Sequence, residues 1–177
     1  MYHPYIAAAA KSLVLIVLCG AAAHIDKRAM ILPTSINVAL GMAGLTFQSL
    51  RESTLSTDAL WGILLGATIP ILVRGAFFKL RDIEGLGLGD VKFSAAAGAW
   101  TGWNDFPVFL FVSSMAALIY AAARFALLRP IGMSERIAFG PFLALGLLAT
   151  MAVRSAIGQP VIDMIGSYLW LHGSSPG

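Results

Sequence analysis

The chain has 177 residues, 58% hydrophobic and 12% charged, with a mean hydropathy of +0.81 and a net charge of +3. Soluble domains carry roughly 25% charged residues, so a soluble globular fold is excluded and lipid is the expected solvent. The single cysteine, Cys19, excludes an internal disulfide or a CxxC zinc knuckle, and so small a charge surplus gives no nucleic-acid footprint.

Crossing about 30 Å of hydrocarbon takes about 20 helical residues. The first apolar run of that size is Tyr5 to Ala23, with Lys11 placed to snorkel outward or to line a cavity. Lys11, Leu13–Leu18 and Ala21–Ala23 also fit a secretory signal. The apolar sequence downstream favours a polytopic protein, in which Cys19 is a small buried packing residue. A polar turn, His24-Ile25-Asp26-Lys27-Arg28, follows, and Pro33 suits the start of a second span from Ser35 to Phe47. Gln48 to Asp58 reads as a polar loop. The third span, Ala59 to Phe78, contains Pro70, where a kink is expected.

Next comes Gly85-Leu86-Gly87-Leu88-Gly89-Asp90-Val91-Lys92, a glycine-rich turn opening onto an apolar helix from Val91 to Trp103. That fourth span is short and rich in small residues (Ala95 to Ala97, Gly98, Ala99), so it is expected inside the bundle. A fifth span runs from Phe106 to Leu128, and Phe139-Gly140-Pro141 opens a sixth to about Val153. Residues 154–177 form an interfacial segment or an extra span. The tryptophans (Trp61, Trp100, Trp103, Trp170) lie mostly near span ends, as interface anchors do. The expected fold is therefore an all-α polytopic membrane bundle of about six transmembrane helices. It forms one integral-membrane domain over 1–177, with a core over 5–153.

Basic residues concentrate in alternate loops: Lys27 and Arg28, then Lys79 and Arg81, then Arg129 and Arg136. This bias puts those loops in the cytoplasm and both termini outside. Asp26 and Asp90 then fall on the same, cytoplasmic side.

A carboxylate at the mouth of a membrane helix marks a functional site by default. Two carboxylates held close share a proton, one acting as base and the other as acid. Peptide hydrolysis by activated water needs that pair. Gly87 and Gly89 would let the backbone bend and a substrate strand approach it. Asp90 alone would also fit a helix N-terminus. Lys92 is either an anchor or a group that meets the substrate. Asp82 and Glu84 are solvated acids or attract a basic leader, and a lone His24 builds no metal site, so no metal or cofactor is expected.

Three stretches carry a resemblance. They are Asp26-Lys27-Arg28 with Leu32-Pro33-Thr34-Ser35-Ile36-Asn37; Gly87-Leu88-Gly89-Asp90-Val91-Lys92-Phe93 with Ala95, Ala96 and Gly98; and Phe139 to Gly146. Together they resemble the prepilin peptidase family, the GxGD-type membrane aspartyl proteases. The resemblance implies removal of a short basic leader from a type IV pilin-like precursor at the cytoplasmic face of the bacterial inner membrane. It makes Asp26 and Asp90 the catalytic pair, with Gly87, Gly89 and Lys92 as substrate-binding or structural support. Its partners are then the precursor protein and membrane lipid. Larger members carry a cysteine-rich amino-terminal segment and also methylate the new amino terminus. This chain lacks that segment, so it is more like the short forms of Flp or Tad pilus systems, and methylation stays open. The competing readings are a small transporter using the aspartates as a proton relay, and a non-catalytic assembly subunit of a secretion apparatus.

Overall fold

A computed structural model describes residues 4–52, 56–81, 87–127 and 138–158. These form five helices: α1 (Pro4–Ala29), α2 (Thr34–Glu52), α3 (Thr57–Arg81), α4 (Leu88–Leu127) and α5 (Gly140–Ile157). All but α2 are long and apolar enough to cross a membrane, so the protein is an all-α, multi-pass membrane bundle. The expectations for Asp82, Glu84, Arg129, Arg136, Trp170 and a span beyond residue 158 concern residues outside the described ones.

Helix α4 doubles back on itself. Asp26 and Asp90 line one cavity, Gly140 donates to Asp26, and Phe142 stacks on Tyr120 with ring centroids 5.3 Å apart. A straight helix would put residues 90 and 120 about 45 Å apart, so the chain must reverse between them. It does so at Gly102, whose φ of 67° and ψ of −175° belong to a region open essentially to glycine alone. Five helices thus make six rods, and the expected loop between the fourth and fifth spans is reduced to one residue.

Breaking a helix frees carbonyls that need donors. Gln48 Nε2, on α2, donates to the carbonyls of Ala99 (3.2 Å) and Trp100 (3.3 Å). Arg154, on α5, donates to the Thr101 carbonyl at 3.1 Å and pairs with the fully buried Asp105 at 3.3 Å. The Thr101 hydroxyl lies 3.2 Å from the Ala97 carbonyl and 3.1 Å from that of Gly102. Side chains from α2 and α5 therefore close the break.

The half of α4 before Gly102 is the centre of the bundle, with Phe93, Ala97, Ala99 and Trp100 buried. It packs against α2 and α3, while the half after Gly102 meets α5. Small residues set the approach to α3. A Cβ on Gly62 would strike the Gly98 carbonyl oxygen, and one on Gly66 would strike that of Ser94. Trp100 departs from the expected interface role: it is buried and its indole donates to the Leu40 carbonyl at 2.8 Å. Trp61 and Trp103 remain exposed.

Several boundaries shift outward. Helix α1 runs through the expected polar turn to Ala29, because Lys27 and Arg28 favour a helix C-terminus and no Gly or Pro intervenes before Pro33. Helix α2 continues to Glu52, so Gln48 is helical, and α5 reaches Ile157. Helix α3 continues through Pro70 as one element. Cys19 is buried in the core as a packing residue. Lys11 lines a cavity of about 460 Å³ between α1 and α5 with Arg154, and its ammonium lies 6.0 Å from the Trp100 ring centroid.

Candidate active site

Asp26 sits on the last full turn of α1 and not in a loop. It is only 5% exposed. Its Oδ2 accepts the backbone N–H of Gly140 at 2.8 Å. Gly140 is the first residue of α5, and the residue before it, Phe139, offers no side-chain cap. The first N–H groups of a helix lack internal acceptors, so Asp26 caps α5 from another helix. Position 140 tolerates only hydrogen there, since a Cβ would lie 2.5 Å from Asp26 Oδ2 and 2.8 Å from its Cγ.

Asp90 is the third residue of α4. Its carboxylate turns back to accept the backbone N–H of Gly87, immediately before the helix. This is the acidic half of a capping box: an acid at the third position satisfies the N–H at the cap. The Asp90 N–H donates to the Gly87 carbonyl at 3.2 Å, closing the first turn.

The two aspartates come from different helices and share a cavity of about 230 Å³ lined by Asp26, Met30, Ile31, Leu32, Gly87, Leu88, Gly89 and Asp90. They lie near enough to interact electrostatically. Half the lining is apolar, and Met30, Ile31 and Leu88 are exposed at its edge. Met30 ends α1 in a left-handed conformation, φ 52°, with its N–H bonded to the Asp26 carbonyl at 2.8 Å.

Leu32 and the start of α2 grip the glycine-rich turn. Leu32 packs so tightly on Gly89 that a Cβ there would come within 2.8 Å of the leucine Cβ. Asn37 Nδ2 donates to the Gly89 carbonyl at 3.3 Å, and Lys92 Nζ donates to Thr34 Oγ1 at 2.9 Å. Gly87 and Gly89 thus line the cavity as expected positions, while Lys92 is directed to α2. His24 is exposed on α1. Sequence reasoning gave no site role to Asn37 or to the Gly140 N–H. An asparagine inside an apolar helix was the available signal for the first.

Residues 13–122, more than half of the chain and inclusive of both aspartates, match the model of the type IV leader peptidase family. The chain belongs to that family. Among its relatives, a prepilin leader peptidase/N-methyltransferase of Escherichia coli (strain K12) is 37% identical over 122 residues, which is 69% of this chain and 53% of that protein. One of Aeromonas salmonicida (strain A449) is 37% identical over 121 residues, 68% of this chain and 41% of the relative. Leader peptidase HopD of Escherichia coli is 33% identical over 119 residues, 67% of this chain and 77% of HopD. The chain therefore spans about half the length of the two N-methyltransferases. No solved structure matches it.

Proposed function

We propose that this protein is a membrane aspartyl endopeptidase that removes the leader peptide from type IV pilin-like precursors, with Asp26 and Asp90 as its catalytic pair. The observation that carries the proposal is the single cavity lined by both carboxylates, reached from two helices that are far apart in sequence. Family membership and relatives described as prepilin leader peptidases support the same reaction.

In this mechanism one aspartate is ionised and the other protonated, as expected for two adjacent carboxyls. The ionised carboxylate takes a proton from a water molecule as the oxygen attacks the scissile carbonyl carbon. The protonated carboxyl donates a hydrogen bond to the carbonyl oxygen. Transfer of a proton to the amide nitrogen then breaks the C–N bond and releases the leader with a new carboxyl terminus. Asp26 Oδ2 accepts the Gly140 N–H, so the mechanism assigns the water to Oδ1. Gly87 places no side chain beside the Asp90 carboxylate, and Gly89 makes room for Leu32 at the cavity wall.

The active site faces the cytoplasm of a bacterial inner membrane in this reading. Lys27, Arg28, Lys79 and Arg124 all end helices at the rim where the carboxylates sit, and basic flanks stay inside. A precursor would arrive there with its leader in water and its apolar segment in lipid. Flp-type precursors are the proposed substrates. A proton relay would place its acids near the bilayer midplane, whereas these occupy helix ends. Co-expression with a pilin-like precursor tests the function: a shorter pilin band appears with this chain, and an unchanged precursor refutes the reading.

A further inference from the structure

The groups facing the catalytic cavity are few, and each aspartate carries one described backbone hydrogen bond. What keeps the Asp90 turn itself in place is a separate question, and α2 answers it. Asn37 is 4% exposed, on the second turn of a helix that contributes no carboxylate. Its Nδ2 reaches across 52 positions of sequence to the carbonyl of Gly89, the residue bonded directly to Asp90. Gly89 is also pressed against Leu32, just before α2. Beyond Asp90, Lys92 is tied to Thr34. Asp90 is thus bracketed by two contacts from α2 and one from Leu32 just before it; of the two polar ones, the Asn37 bond is part-buried and the Lys92 bond exposed.

Asn37 is a poor choice for stability. Its Oδ1 is buried with no hydrogen-bond partner among the described residues, and an unsatisfied buried acceptor is unfavourable. An apolar side chain of similar volume would avoid that penalty. Retaining an amide makes physical sense if its donor is needed at Gly89. We propose that Asn37 is a positioning residue that fixes the Gly89 carbonyl, and through it the Asp90 carboxyl, at the distance from Asp26 that catalysis requires. Small displacements of a catalytic group cost far more rate than binding. Asn37 is itself absent from the cavity lining, so its loss removes no direct contact with a molecule held there.

This inference rests on the peptidase reading above. The test uses the full chain in detergent with a pilin-like precursor. Asn37→Met removes the donor and the orphaned acceptor together while keeping the number of side-chain heavy atoms. The expected result is a protein that still folds, kcat lowered roughly tenfold to a hundredfold, and KM within about twofold. A folded Asn37→Met protein with wild-type kcat, or with a changed KM alone, overturns the positioning role. Should that variant misfold, Asn37→Asp supplies the second reading, because its carboxyl donates to Gly89 only when protonated. Its rate relative to wild type should climb as pH falls from about 8 towards about 5, and a flat ratio overturns the proposal. Failure of wild type to cleave would instead refute the peptidase reading itself.

Discussion

The backbone N–H of Gly140 lies 2.8 Å from Asp26 Oδ2, joining the first residue of α5 to the last turn of α1. The bond caps α5 and orients a buried carboxylate at once. It also ties the family's central segment to a part of the chain beyond the matched residues 13–122.

Gly140→Ala tests that link. The added methyl would sit 2.5 Å from Oδ2, so Asp26 or the start of α5 must shift. Leader removal is expected to fall roughly a hundredfold, in line with an ångström-scale displacement of a reacting group. A membrane-inserted Gly140→Ala protein cleaving at the wild-type rate would show that this contact does not orient the carboxylate.

The α3–α4 contact sets a stability expectation. A Cβ at Gly98 would overlap the Gly62 carbonyl and lie 2.8 Å from the Ile63 nitrogen, whereas one at Gly75 meets nothing within 4 Å. Gly98→Ala must separate two helix backbones and should destabilise by about 1–3 kcal/mol. Gly75→Ala, in open space within α3, should leave stability unchanged or raise it by up to about 1 kcal/mol. Thermal unfolding of both variants in one detergent checks the contrast, and equal midpoints would contradict it.

Met30 offers a change in the other direction. A non-glycine residue in the left-handed region carries about 1–2 kcal/mol of strain, and Met30 holds φ 52° beside the cavity. Met30→Gly is expected to raise stability by roughly 0.5–1 kcal/mol, while Met30→Ala keeps the strain and brings no such gain. Thermal midpoints of the pair decide it, and an equal rise in both would assign the effect to the lost side chain.

Much of this was legible in the sequence because lipid imposes simple rules. Apolar runs located the helices, and the small residues of Ala95–Ala99 marked the buried rod. Asp26 and Asp90 stood out as carboxylates beside apolar spans. The rest depended on contacts between distant parts of the chain. Nothing local shows that Gln48 and Arg154 will serve the carbonyls freed at Gly102, so a loop was expected where α4 bends at one residue. His24 to Arg28 looked like a turn by polarity, yet helical hydrogen bonding persists into the interface and sets Asp26 on a rigid helix. Trp100 lies near a span end in sequence, but the fold-back at Gly102 places it in the core.

The most direct test of the paired-carboxylate mechanism is leader removal from a purified pilin-like precursor by wild type, Asp26→Asn and Asp90→Asn proteins in detergent. Each amide preserves shape while removing the acid–base function, so the rate should fall by at least about 10²–10⁴-fold in both variants while their thermal midpoints stay near that of wild type. Cleavage at an undiminished rate by either folded variant would show that hydrolysis does not pass through the two aspartates.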